Sequence, residues 1–209
     1  MKKAKSVKVA SILVLALILV LASATALHHQ TYETSIRQEL ASKNFVIVDL
    51  WKSVPDPKLE SDWNLIEVTE HGYHYRIVSR NIITNVGQEW LQGQVSGSPS
   101  TSAAIYIALC NGTGTPAYTD TSIPNEYNSG GLTRAAGTYT AGSAANGDIT
   151  WTVKHTFTAS ASFTNVRIAG LFTTSVSSQP TLFAETTLAT FDLDPTNTVS
   201  ITWVLAITN

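Results

Sequence analysis

The most regular feature of this chain is an alternation of apolar and hydroxyl-bearing residues towards its C-terminal end. Residues 149–159 and 198–207 place Ile, Val, Trp and Phe on one side and mostly Thr or Ser on the other. A period of two is typical of β-strands that bury one face, because successive side chains point to opposite sides. Further segments rich in Val, Ile, Thr and aromatic residues are also predicted to be strands: 103–109, 132–140, 165–173 and 182–189.

Turn-forming residue pairs separate these predicted strands. They are Asn111-Gly112, Gly130-Gly131, Asn146-Gly147, Gln179-Pro180 and Asp194-Pro195. Glycine adopts backbone angles that other residues avoid and proline fixes φ, so such pairs favour tight turns. Short strands separated in this way predict an all-β fold, an antiparallel β-sandwich or jelly-roll-like domain, over residues 63–209.

An upstream segment, residues 45–51, is apolar at nearly every position and precedes a proline-containing stretch. A strand that is apolar on both faces must be covered on both. Two interpretations stay open: the first strand of the domain, or a donor strand that pairs with a neighbouring subunit. In the second, residues 28–62 form a stalk or linker. The residues that would make this contact are Phe45, Val46, Ile47, Val48, Leu50 and Trp51.

Other local patterns predict one hairpin and two short helices. Residues 63–83 read as two strands joined by a glycine-containing turn. Thr84 or Asn85 is placed to cap a helix over residues 86–92. Apolar residues at four-residue spacing predict an amphipathic helix within residues 28–43.

Residues 9–27 form an apolar run without charged side chains, and Lys2, Lys3, Lys5 and Lys8 precede it. A hydrophobic helix of about 19 residues just spans a bilayer of ~30 Å, and basic flanking residues stay in the cytoplasm. The run is interpreted as a cleaved signal peptide, a retained membrane anchor or a pilin-like leader. Each alternative places the rest of the chain outside the cytoplasm, with membrane contact only if the run is retained.

The charge balance narrows the range of partners. Charged residues make up 13% of the chain, about half of the ~25% that is usual. Four lysines precede the apolar run, which leaves nine basic against fifteen acidic residues after it, a formal charge of −6. An acidic domain lacks the basic surface that nucleic acids require and is repelled by anionic lipid. We therefore expect no nucleic-acid partner.

Two neighbouring residues bear on covalent chemistry. Cys110 is the one cysteine, so it forms no disulfide within the chain, and its position after an apolar run predicts burial. Asn111 begins an Asn-Gly-Thr sequence in a predicted turn, which is a glycosylation acceptor outside the cytoplasm.

No catalytic or metal-binding pattern stands out, so we expect neither an enzyme nor a cofactor. His71 and His74 are three residues apart in a predicted hairpin, where they would face opposite sides. His155 follows the inward face of its strand and is predicted to lie at the core or its rim. Calcium ligands could come only from loop acids, which lack calcium-loop spacing: Asp120, Asp192 and Asp194.

A series of short segments after residue 80 follows a recognisable order. They are residues 81–87, 105–109, 131–134, 156–159, 169–172, 182–185 and 201–203. Over about residues 80–209 this order resembles a β-sandwich module of structural proteins from tailed phages and archaeal viruses. The resemblance implies a virion or appendage component without catalytic residues. The apolar N-terminal run departs from phage tail modules and moves the expected setting to a membrane-bearing archaeal virus or a surface filament.

Three functions follow as hypotheses. The first is a non-enzymatic structural subunit of an extracellular filament or virion appendage, which assembles from copies of itself through β-strand contacts. The second is an anchored adhesin or carbohydrate-binding head, with an aromatic platform formed by Tyr118, Tyr127 and Tyr139. The third is a pilin-like subunit that assembles through its N-terminal helix.

Overall fold

The computed structural model describes residues 44–59, 61–70, 72–96, 102–145, 148–177 and 179–207. The apolar run and the amphipathic helix expected within residues 28–43 lie outside these ranges. The described residues contain no helix that is long and apolar enough to cross a membrane. Their elements, in chain order, are β1 (Phe45–Lys52), β2 (Asn64–Thr69), β3 (Gly72–Arg80), β4 (Ile82–Ile83), α1 (Asn85–Val95), β5 (Tyr106–Cys110), β6 (Ala135–Ala136), β7 (Thr138–Ala145), β8 (Asp148–Thr158), β9 (Phe163–Phe172), β10 (Leu182–Leu193) and β11 (Thr198–Ile207).

The strands form two antiparallel sheets. Sheet A has six strands in the order β2-β3-β1-β11-β8-β7, and sheet B has five in the order β4-β10-β9-β5-β6. Alternate residues of both sheets meet in one hydrophobic core, which includes Val48, Val153, Leu171, Phe183 and Trp203. The residues alternate in the sequence because one face of each strand is buried in this core. The predicted all-β sandwich is confirmed.

β1 lies inside sheet A and not between subunits. It pairs with β3 on one side and with β11 on the other, so that Val48 has Ile77 and Ile201 as its cross-strand neighbours. Val48 is fully buried in the core. Because both edges of β1 are hydrogen-bonded within the chain, the donor-strand interpretation of residues 45–51 is corrected. The domain begins with β1 and not at residue 63.

The helix α1 is fixed at its first turn to the start of β10. Its N-cap Thr84 accepts a hydrogen bond from the Gly87 N–H at 3.1 Å and donates one to the Leu182 carbonyl oxygen. Gly87 lies so close to β10 that an added Cβ would stand 2.1 Å from the Phe183 carbonyl oxygen. Trp90 then meets the Phe183 ring edge-on, with 5.6 Å between centroids. The predicted helix over residues 86–92 is therefore confirmed and longer, and it packs against β10.

A long connection between β5 and β6, residues 111–134, packs over the outer face of sheet B. Ile123 joins a second buried cluster there with Cys110 and Phe172. Cys110 is fully buried, as predicted, and burial raises the pKa of its thiol to about 11. The connection is also held by Arg134, which forms two hydrogen bonds with the Glu126 carboxylate at 2.8 and 2.5 Å. The outer face of sheet B is thus covered by the chain itself.

Candidate functional site

An apolar groove, called here the end groove, opens beside α1. Its volume is about 590 Å³, which lies within the range of pockets that bind small molecules. Its walls come from five elements and the segment before β5, and they include Trp90, Val95, Ile105, Tyr139, Trp151 and Ile207. Because these residues are distant in sequence, the groove could not be recognised before the fold was known.

The rim of the end groove exposes large apolar side chains. Val95 is 86% exposed, Tyr139 58% and Ile207 50%. Ile149, which pairs directly with Ile207 across β8 and β11, is also 50% exposed. Trp90 is held in the wall by a hydrogen bond from its Nε1 to the Ser102 carbonyl oxygen at 3.0 Å. Apolar residues that are exposed side by side mark an interaction surface.

The end groove lies next to the edge strand β7. In the described part of the chain β7 pairs with β8 alone, and β2 is the edge strand at the opposite side of sheet A. Edge strands present unpaired backbone donors and acceptors that another strand can extend. Both edges carry exposed apolar residues, because Leu65 and Val68 of β2 are 49% and 58% exposed.

A register shift in β2 aligns its two apolar residues on one face. Leu65 pairs with Tyr75 and Val68 with Tyr73, with an irregularity between Leu65 and Glu67. Tyr73 and Tyr75 both face the core, so Leu65 and Val68 lie on the core side of sheet A. Tyr139 of β7 pairs with the fully buried Val153 and shares that side. The two edges therefore present apolar side chains on the same face of one sheet.

The outer face of sheet A carries a charged cluster. The Asp49 carboxylate accepts hydrogen bonds from Arg76 Nε at 2.6 Å and from His74 Nε2 at 2.9 Å, which places the proton of the imidazole on Nε2. His74 Nδ1 lies 3.8 Å from the Glu67 carboxylate, and the Trp51 ring stacks on the imidazole. His74 thus has a structural partner on each side, and His71 lies outside the described residues.

The sequence did not predict that the carboxyl groups of Glu185 and Asp120 form a pair. The Glu185 side chain is 2% exposed, and the pKa of its carboxyl is raised to about 8, first by burial and then by a hydrogen bond with Asp120. The Ala117 N–H donates to both carboxylates, at 2.9 Å to Asp120 and 3.1 Å to Glu185. A glutamate next to the apolar residues Leu182, Phe183 and Ala184 was the available signal. The pair joins the β5–β6 connection to β10, so we assign it a structural role.

The structure does not bring the three calcium candidates Asp120, Asp192 and Asp194 together. Asp120 pairs with Glu185, which precedes Asp192 by seven residues along β10, on the order of 20 Å. Asp192 accepts a hydrogen bond from the Asn165 N–H at 2.8 Å, and the exposed Asp194 belongs to a turn. Within the described ranges no three His, Cys, Asp or Glu side chains form a metal-binding group.

The remaining predicted residues occupy separate places. His155 is half-buried at the rim of the core, as predicted, and its Nδ1 lies 2.9 Å from the Ala136 carbonyl oxygen. Asn111 is exposed in the connection after β5, and its glycosylation stays a prediction. Tyr127 packs edge-on against Phe163 at 4.8 Å and is half-buried. Tyr118 and Tyr139 are exposed, and a platform of the three tyrosines stays a prediction.

Comparisons with protein-family profiles, with curated proteins and with solved structures find no match for this chain.

Proposed function

We propose that this protein is a non-enzymatic structural subunit of an extracellular filament or virion appendage, built from copies of itself. The observation that carries the proposal is the end groove beside the open edge of β7. An apolar groove next to an unpaired strand edge favours the addition of a strand from another molecule. The occupant we propose is β2 of a second copy.

The two edges of sheet A are complementary in this arrangement. If β2 of one copy continues the sheet beyond β7 of the next, Leu65 and Val68 lie on the same face as Tyr139. Their side chains then cover the exposed rim of the end groove. The contact joins two different surfaces, so it leaves one open edge at each end of the assembly. Such contacts produce open filaments when the rotation between copies does not close a ring.

Strand spacing sets the length that each copy adds. Sheet A has six strands, and neighbouring strands are about 4.8 Å apart. Each copy would therefore extend a continuous sheet by about 29 Å before twist is considered. A repeat near this value in a fibre-diffraction pattern or a filament image would support the proposal.

Cysteine cross-linking tests the contact directly. We expect Leu65→Cys in one copy and Tyr139→Cys in another to cross-link when the two variants are mixed. The wild-type chain is a suitable background, because its Cys110 is fully buried and burial raises the pKa of its thiol to about 11. A chain that carries both substitutions should form a ladder of oligomers on a denaturing gel.

The controls separate this contact from random collision. Val176 is 49% exposed and lies outside both edges, so Val176→Cys should not cross-link with Leu65→Cys. Symmetric Leu65→Cys dimers, or no product from the mixed variants, would contradict the proposed contact. Pilin-like assembly through residues 9–27 makes a different prediction: a chain that starts at residue 44 would remain monomeric.

A further inference from the structure

A second cleft lies on the outer face of sheet A, opposite to the core side that bears the end groove. Its volume is about 410 Å³, and its lining combines one aromatic ring with hydroxyl and amide groups. These residues are Trp51, Ser53, Thr156, Thr196, Asn197 and Thr198. We propose that this cleft, called here the Trp51 cleft, binds a neutral saccharide.

Trp51 is held as a flat wall of the cleft. Its ring stacks on the His74 imidazole with 4.5 Å between centroids and 8° between planes. His74 is itself fixed by Asp49 at 2.9 Å. In the sheet Trp51 has His74 as its neighbour on β3 and Thr198 as its neighbour on β11. One face of the indole is therefore covered by His74, and the other is turned towards Thr198 and the cleft.

Hydroxyl groups lie beside this free aromatic face. Thr198 adjoins Trp51, and the Thr156 hydroxyl is 2.8 Å from the Ser200 hydroxyl, one row further along the sheet. A pyranose ring has an apolar face of C–H groups and an equatorial belt of hydroxyls. The C–H face suits an electron-rich indole, and the belt suits side chains that both donate and accept hydrogen bonds. The cleft offers both kinds of group at once.

The loop at one side of the cleft holds a strained residue. Thr196 has φ of 77°, in a turn closed by a hydrogen bond from the Asn197 N–H to the Asp194 carbonyl oxygen at 3.0 Å. This position of a turn usually holds Gly or Asn, and a β-branched residue there is strained. Strain of this kind is concentrated at binding sites. Thr196 is one of the residues that line the cleft.

The charges around the cleft favour a neutral sugar over an acidic one. Lys52 is the charged residue among the described lining residues, and its ammonium group is held by Asp56 at 2.5 Å and by the Asp192 carbonyl oxygen at 3.1 Å. In the neighbouring row of the same face, Arg76 is bound to the Asp49 carboxylate. These cations are already paired, so they offer little to a carboxylated or sulfated glycan.

Binding of short neutral oligosaccharides to the full chain tests the inference. The probes are oligomers of glucose, mannose, xylose, galactose and N-acetylglucosamine, measured by titration calorimetry. We expect at least one series to bind, and Trp51→Ala to weaken that binding by about tenfold or more. Tyr118→Ala removes another exposed aromatic residue, outside both the cleft and the end groove, and should bind as the wild type does.

Two further variants separate a lost site from a lost fold. Trp51→Phe keeps an aromatic wall, and Thr198→Val removes a lining hydroxyl while it keeps the shape of the residue. Both should bind more weakly than the wild type, with unfolding midpoints close to it. The inference is overturned if no neutral series binds the wild type, or if Trp51→Ala and Thr198→Val bind as tightly as it does. Cross-linking between Leu65→Cys and Tyr139→Cys tests the assembly contact separately, so either proposal can fail alone.

Discussion

Glu185 shows how the fold changes the chemistry of a single residue. Its carboxyl is almost completely buried on β10, and its pKa is raised from 4.5 to about 8. Burial makes the charged form costly, and the Asp120 carboxylate beside it adds a second negative charge. At neutral pH Glu185 therefore keeps its proton, which it shares with Asp120 as a hydrogen bond. An isolated buried carboxylate in this place would instead destabilise the domain.

The protonation of Glu185 predicts that stability falls as pH rises. Between about pH 4.5 and pH 8 the folded protein holds a proton that the unfolded chain has released, so each rise in pH favours unfolding. Below about pH 4.5 Glu185 is protonated in both the folded and the unfolded protein, and its contribution to the free energy of unfolding has its full value. The loss by pH 8 should be on the order of a few kcal/mol.

Glu185→Gln provides the comparison, because it keeps a neutral hydrogen-bonding side chain of the same size. Urea unfolding midpoints of wild type and variant should be measured at several pH values across this window. The wild-type midpoint should fall with pH, and the midpoint of the variant should change much less. Equal falls in both proteins would show that another group controls the pH dependence.

At the scale of the elements, the sequence was most informative where side chains alternate in a regular way. The prediction of residues 198–207 as a strand matches β11 at both ends, and residues 149–159 match β8 within one residue. The segment 132–140 is different, because the chain leaves sheet B after β6 and enters sheet A as β7. Gly137 lies at this crossing, where an added Cβ would come 2.7 Å from Val153.

Irregular strands and distant contacts could not be predicted in the same way. β10 extends to Leu193, beyond the predicted residue 189, because register shifts between Thr187 and Leu193 interrupt the alternation. The partners of β1 lie about 30 residues away on β3 and about 150 residues away on β11. Periodicity within a segment carries no information about such partners. The end groove and the Asp120–Glu185 pair depend on contacts of this kind.

Because α1 packs so closely against β10, one methyl group added at Gly87 should strongly destabilise the protein. Gly87→Ala would place its Cβ 2.1 Å from the Phe183 carbonyl oxygen, so the helix must move away from β10. We expect a loss of about 1–3 kcal/mol in the free energy of unfolding. Gly114→Ala is the control, because an added Cβ there meets no atom within 4 Å. Its effect should stay within about 0.5 kcal/mol, as measured by chemical denaturation.

For the whole molecule, the position of β1 decides where the domain begins. A chain that starts at residue 44 keeps β1 and should unfold cooperatively. A chain that starts at residue 63, the boundary expected from the sequence, loses four fully buried core side chains: Val46, Val48, Leu50 and Leu59. It also leaves β3 and β11 without the strand between them. This shorter chain should lack a cooperative transition in circular dichroism, and a stable fold would contradict the central role of β1.

The two proposed contacts use different parts of the same sheet. Assembly uses the edges β2 and β7, whereas the Trp51 cleft lies on the outer face of β1 and β11 in the middle of the sheet. A filament built by edge contacts would therefore display one cleft per copy along its side. Binding to a surface that carries many identical sugars would then be strengthened by multivalency. This predicts much tighter binding to a polysaccharide-coated bead by the assembled protein than by the monomer.

The pairing of β1 with β11 also has a consequence for synthesis. The first described strand of the domain cannot complete its hydrogen bonds until the last one has been made. A nascent chain can form the local β2–β3 hairpin early, but sheet A stays divided until about residue 207 has emerged. Folds that depend on such distant pairings close slowly. The complete sheet A can therefore form only after β11 has left the ribosome.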